Sequence, residues 1–249
     1  MKPSIFVSLL FLCHTLSAGD IKIAVSANVS YAIDDLKKAF FKHNPHTKVK
    51  VTLGGSGKLT AQINHGAPYQ LFMSANMIYP TILYHDKLAV SKPVIYAQGS
   101  LAYLSTKKQD FTQGMSLCKA VHVKKIAIAN PKTAPYGKAT LEVMKNSAIY
   151  ADIVKKLVYA ESISQTVYYT VNATDLGLVA KSALYSPRMA HFKEDTHWSD
   201  VNASLYTPID QGIVILKEGE HNSEVLAFYN FILSAEAKEI FKRFGYIVP

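Results

Sequence analysis

Cysteine is nearly absent from this chain. The 249 residues hold two. One of them, Cys13, lies in an apolar leader, so a mature chain keeps only Cys118 and can form no internal disulfide. Cys118 reads as a small buried hydrophobe. Beyond the leader, no apolar run approaches the roughly 20 residues a membrane helix needs. No Gly-x-Ser-x-Gly elbow occurs, and no spacing of Ser, His and Asp favours a catalytic triad. Acidic pairs such as Asp34-Asp35 stand beside Lys37 and Lys38 and read as a solvated helix face. An enzyme is not expected.

Metal-ligand spacing is missing as well. His43-Asn44-Pro45-His46 sets a proline between two histidines at a helix end, which a rigid ligand pair tolerates poorly. His191 and His197 fall in a polar, irregular segment. No metal and no cofactor is expected. Acidic residues are the scarcer sign: 18 Asp and Glu stand against 27 Lys and Arg, a formal +9. The lysines are scattered. Even Lys124-Lys125, with Lys119 nearby, lacks interleaved aromatics, so no nucleic-acid partner is expected. The positive balance keeps an exported protein soluble and steers anions toward it.

The first residues read as a targeting segment. Lys2 supplies the positive start, Ile5 to Cys13 an apolar core, and Ser17-Ala18-Gly19 small residues for cleavage. A signal peptide is expected over 1–19, with the cut near Ala18 or Gly19. Leu12 is too large to precede a lipidated Cys13.

After the leader, strand and helix periods alternate, which predicts an α/β fold. Val49, Val51 and Leu53 have the strand period. Gly54-Gly55-Ser56-Gly57-Lys58 follows, then a helical run with Leu59 and Ile63. The glycines permit a tight turn. The helix N-terminus behind them presents N–H groups and a positive dipole end, which favour an anion. A phosphate-binding P-loop is excluded, because Thr52 and Leu59 stand where that motif needs Gly and Ser or Thr. The same device recurs three times. Ile21, Ile23 and Val25 lead to Ser26-Ala27-Asn28-Val29-Ser30 and a helix with Ile33, Leu36, Ala39 and Phe40; Asn28 or Ser30 is its expected N-cap. Ile126 and Ile128 lead to Asn130-Pro131 and Ala134-Pro135-Tyr136-Gly137, then a helix from Lys138 to Asn146. Leu157-Val158-Tyr159 leads to Ala160-Glu161-Ser162-Ile163. Open α/β sheets bind ligands where such junctions converge, at the carboxyl ends of strands. Tyr136, in a turn after Pro135, is expected at a surface junction, and Tyr168-Tyr169 and Phe228/Phe231 in the core.

Taken in order, these blocks resemble the periplasmic molybdate-binding proteins of ABC importers, the ModA family. The resemblance covers the mature chain. It also rests on Gly66-Ala67-Pro68 followed by Phe72-Met73-Ser74-Ala75, and on the ending Phe228-Tyr229-Asn230-Phe231 through Lys242-Arg243-Phe244-Gly245-Tyr246. It implies a type II periplasmic-binding-protein fold, with two lobes of mixed sheet flanked by helices and joined by two crossing strands. Lobe 1 is expected over 20–98 plus 213–249 and lobe 2 over 99–212, with crossings near Tyr96–Ser100 and Thr207–Gly212.

The resemblance further implies a monomer in the periplasm. It would bind molybdate or tungstate through hydrogen-bond donors and deliver it to an inner-membrane permease and its ATPase. Asn28 and Ser56 match first-lobe ligands. Tyr136 and Ile163 match second-lobe positions that offer backbone N–H groups. One place departs from the family: many members carry a Tyr donor where Ala180-Lys181-Ser182-Ala183 stands here. Ala180 has no hydroxyl, so that donation is either missing, replaced by Asn28, or supplied by Tyr136 or Lys181. The alternatives are a binding protein for sulfate or another small anion, or an exported enzyme or interaction protein on the same fold.

Overall fold

The computed structural model describes residues 19–249, so all of the expected leader except Gly19 lies outside the described residues. Strand β1 (Asp20–Ser26) runs into a 3-10 turn at Ala27–Tyr31 and then α1 (Ile33–His43). β2 (Lys48–Gly54), α2 (Ser56–Asn64), β3 (Leu71–Met73), α3 (Ile78–His85) and β4 (Val94–Gly99) follow. Next come β5 (Leu101–Leu104), β6 (Ile126–Ala129), α4 (Pro135–Asn146), α5 (Tyr150–Ile153), β7 (Leu157–Ala160), α6 (Ile163–Asn172), β8 (Leu176–Ala180) and β9 (Trp198–Asp200). β10 (Ile209–Ile215), α7 (Ser223–Ile232) and α8 (Ala235–Arg243) complete the chain.

These strands form two 5-stranded sheets, ordered β2-β1-β3-β10-β4 and β7-β6-β8-β5-β9. In the first, β1 pairs parallel with β2 and β3, and β10 antiparallel with β3 and β4. The second repeats the plan: β6 pairs parallel with β7 and β8, and β5 antiparallel with β8 and β9. β1 and β6 therefore each lie between strands reached by crossovers in opposite directions. A crevice opens at the carboxyl end of such a strand. Only Ser100 separates β4 in the first sheet from β5 in the second. The chain returns by β10, which pairs Ile209 with Gly99 and carries an irregularity between Gln211 and Gly212.

Each sheet has its own core. Ile21, Ile23 and Val25 are fully buried, as are Leu36 and Phe40 on the inner face of α1. The C-terminal helices pack on this same lobe: Phe228 of α7 meets Phe40 edge-on, centroids 5.0 Å apart. Phe241 of α8 lies against Tyr96 of β4. Truncating a buried phenylalanine costs about 3–5 kcal/mol, so these contacts fix the C-terminal helices to the first sheet. The second core gathers Leu101, Ile126, Ile128, Leu176 and Leu178 with Val143 and Met144 of α4.

Three local expectations change. Neither Asn28 nor Ser30 caps α1; Ala32 precedes that helix with no side-chain cap bond, because the 3-10 turn intervenes. Tyr136 is buried, since α4 turns its second residue under the facing lobe. Tyr168 is 65% exposed, because the face of α6 that meets the sheet carries Thr166, Val167 and Thr170 instead.

Candidate functional site

The two crevices face each other, and one cavity joins them. Ser26, Asn28, Ser56 and Ala75 line it from the first lobe, and Tyr136 and Ile163 from the second. All six residues lie at or just after strand ends: β1, β2, β3, β6 and β7 respectively lead to Ser26–Asn28, Ser56, Ala75, Tyr136 and Ile163. The cavity is small, about 10 Å³, room for about one water between the closed lobes. A larger groove of about 470 Å³ lies between α1 and α8, with Asp35, Lys38, Glu236 and Arg243 mixing both signs of charge. None of the expected site residues reaches it.

Donors dominate the cavity wall. Ser56 is the first residue of α2 after Gly55, Tyr136 the second of α4, and Ile163 the first of α6. The opening N–H groups of a helix have no partner within it. Three α-helices and the 3-10 turn at Asn28 thus bring N-termini, with their partial positive charge, to one point. Ile163 contributes only backbone. Ser162 holds it there, accepting from the Gln165 N–H as N-cap.

The serines form a pair. The Ser26 and Ser56 hydroxyl oxygens lie 2.5 Å apart, and the Ala75 N–H donates to both at 3.0 Å. A hydroxyl has one proton and two lone pairs. One proton bridges the pair, which leaves the other for a third group. Ser26 was present in the sequence motif but not singled out. Its signal was its place at the strand end, in register with Gly54 beside Ser56.

Asn28 is fully buried. Its Nδ2 donates to Gln211 Oε1 at 2.8 Å and to the Tyr246 hydroxyl at 3.0 Å. Its backbone oxygen accepts from Tyr246 at 2.9 Å and from Ser182 at 3.1 Å. Gln211 Oε1 also accepts from Tyr96, and Gln211 Nε2 donates to the Tyr136 hydroxyl at 3.2 Å. Burial, reinforced by neighbouring tyrosines, pushes the Tyr136 and Tyr96 hydroxyls well above the ordinary tyrosine range, so both stay neutral. Gln211 carries no motif, Tyr246 only closes the C-terminal block, and the fold alone brings them to the site.

Ala180 and Lys181 do not line the cavity. Lys181 turns away to pair with Asp200 at 2.6 Å. Among the described residues, no charged side chain lines the cavity; Lys58 and Glu161 join the two lobes outside it at 2.6 Å. Among the described residues, no group of three or more His, Cys, Asp or Glu is placed to hold a metal ion.

Two α/β lobes, two connections between them and a donor-lined cavity in the cleft define a two-lobe solute-binding protein. Residues 21–247 match the family model described as bacterial extracellular solute-binding protein. The chain belongs to that family. It is 32% identical over 233 residues to the molybdate-binding protein ModA of Rhodobacter capsulatus, covering 93% of this chain and 89% of the relative. It is also 32% identical over 237 residues to ModA of Azotobacter vinelandii, covering 94% and 92%. The solved periplasmic molybdate-binding protein of Azotobacter vinelandii superposes with a TM-score of 0.85 at 29% identity, covering 92% of this chain and 99% of that one.

Proposed function

We propose that this protein captures molybdate, or the isosteric tungstate, in the interlobe cavity and delivers it to an ABC importer. The observation that carries this reading is the lining itself: helix N-termini, two serine hydroxyls and an asparagine, with no charged side chain. A buried anion costs several kcal/mol unless its oxygens are satisfied. Bonds to a charged group return about 1.5–3 kcal/mol each, so about five suffice. The Ser56 hydroxyl and the backbone N–H groups of Ser56, Tyr136 and Ile163 are the donors assigned here, with Asn28 beside them. Ser26, paired to Ser56, donates its proton to Ser56 Oγ and so leaves the Ser56 proton for the anion. A fully deprotonated dianion only accepts, as this wall requires. A protonated phosphate needs a strong acceptor in return, and no carboxylate is there.

Closure completes the device. Lobes 20–98 plus 213–249 and 99–212 rotate about the two connections, and both halves of the donor set meet only when closed. The relatives are binding proteins and the wall is built of donors, which supports binding rather than turnover. The chain acts as a monomer in the periplasm, released from its leader, and presents closed lobes to an inner-membrane permease driven by its ATPase. The molybdate-binding names of the relatives favour molybdate over sulfate.

Thermal melting with molybdate, tungstate, sulfate and phosphate at matched concentrations tests the reading. An anion at 100 times its dissociation constant adds about 2.7 kcal/mol to stability. Molybdate and tungstate are expected to raise the melting temperature and the other two far less. Equal shifts by sulfate would replace molybdate with the sulfate reading.

A further inference from the structure

Two buried polar groups at the cavity are left over. Asn28 Oδ1 has no hydrogen-bond partner among the described residues, although Asn28 is fully buried. The Tyr136 hydroxyl accepts from Gln211 Nε2 and has no acceptor of its own among the described residues. An unpaired buried carbonyl is costly. Beside an anion it is worse, because it presents negative charge where a donor is needed.

Both leftovers have one remedy. Turning the amides of Asn28 and Gln211 end for end, together, exchanges oxygen for nitrogen within each amide and reverses the direction of donation. Gln211 Nε2 then donates to Asn28 Oδ1 and to the Tyr96 hydroxyl. Tyr96 already stands 3.4 Å from the Ser74 carbonyl, which takes its proton. The Tyr136 hydroxyl donates to Gln211 Oε1. The Tyr246 hydroxyl no longer accepts from Asn28 and turns its one proton to Asn28 Oδ1 at 3.0 Å, while Ser182 still donates to the Asn28 backbone oxygen. Asn28 Nδ2 takes the place of the orphaned oxygen and is free to donate to a ligand. Neither amide can turn alone, since Asn28 and Gln211 would then meet oxygen to oxygen or nitrogen to nitrogen at 2.8 Å.

We propose that Gln211 is a positioning residue for the bound oxyanion: its amide sets which end of Asn28 is offered to the cavity, and anion binding turns both amides together. The inference rests on the oxyanion reading above. Gln211 lies on β10, the strand by which the chain returns to the first lobe, at the register irregularity next to Gly212. It bonds Asn28 and Tyr96 of the first lobe on one side and Tyr136 of the second on the other. The turned state therefore selects against ligands that must donate, and it makes the Tyr136 hydroxyl the donor in its bond to Gln211.

The test uses the full mature protein, molybdate as probe, and two measurements. In wild type labelled with nitrogen-15, the side-chain NH2 signals of Asn28 and Gln211 are both expected to shift on adding molybdate. By calorimetry, Gln211→Met should weaken molybdate binding about tenfold or more, in line with losing one oriented bond to a charged group. In an Asn28→Ala background the same change should cost little further affinity, since its effect passes through Asn28. An equal loss in both backgrounds would make Gln211 a hinge-packing residue and overturn the inference. So would an unmoved Gln211 signal in wild type, which needs no variant to fold. Molybdate that fails to bind wild type at all would remove the oxyanion reading, and this inference with it.

Discussion

The Gly57 N–H donates to the Thr133 carbonyl at 2.9 Å, a backbone hydrogen bond from one lobe to the other at the rim of the cavity. A β-carbon on Gly57 would stand 2.7 Å from the Tyr79 hydroxyl and 3.0 Å from Thr133 O. The glycine is required by the approach of the lobes. Gly57→Val is therefore expected to hold the cleft ajar. Molybdate affinity should fall about tenfold or more, while the unliganded melting point changes little, since each lobe keeps its own core. Calorimetry and small-angle scattering with and without anion would check this; a variant that closes and binds normally would contradict it.

Ser56→Ala removes one hydroxyl and keeps the backbone of α2. Losing a bond worth about 1.5–3 kcal/mol to a charged ligand should weaken binding roughly 10- to 150-fold. Gly55, not Ser56, is the N-cap of α2, with no side-chain cap bond. Unliganded stability should thus change by less than about 1 kcal/mol from capping. Unchanged affinity with a clear loss of unliganded stability would make the Ser26–Ser56 pair a packing feature.

The pH profile follows from the lining. Tyr136 is the one titratable side chain on the cavity wall, and burial raises it well above its ordinary value. A raised tyrosine stays a neutral donor below its shifted value and becomes an anion only above it. Molybdate affinity is therefore expected to be flat from about pH 7 to about pH 9, and to fall only above about pH 10. A midpoint near neutrality, from calorimetry across that range, would require an ionisable group at the site that this wall does not have.

Although the sequence places the leader over 1–19, the contacts of Gly19 favour a cut after Ala18, so export should leave Gly19 in the mature chain. Its N–H donates to Glu224 Oε1 at 3.2 Å, its carbonyl accepts from Lys48 at 3.1 Å, and Glu224 Oε2 is buried without a partner among the described residues. An α-ammonium at Gly19 would supply that carboxylate with charge and donors. Intact mass of the secreted protein is expected to match a start at Gly19; a start at Asp20 would contradict this.

Much of this was legible because it is local. The strands at Ile21–Val25, Val49–Leu53 and Ile126–Ile128 and the helices after them announce themselves by apolar period. So do the junction loops that hold Asn28, Ser56, Tyr136 and Ile163. What period cannot carry is which faces meet across the cleft. Tyr136 looked like a surface turn because its covering comes from β10 and the facing lobe. Ser26, Gln211 and Tyr246 were missed as site residues because their partners lie far along the chain: Tyr246 reaches Asn28 across 218 positions. The two sheets share one strand plan with no sequence repeat, since topology is set by crossovers rather than by residue identity.

Native mass spectrometry of the mature protein, stripped of anion and offered equimolar molybdate and sulfate, tests the central claim most directly. The account predicts one molybdate per chain, retained in preference to sulfate and lost from most molecules in Ser56→Ala. A wild-type spectrum with no anion adduct, or with sulfate and molybdate held equally, would contradict it.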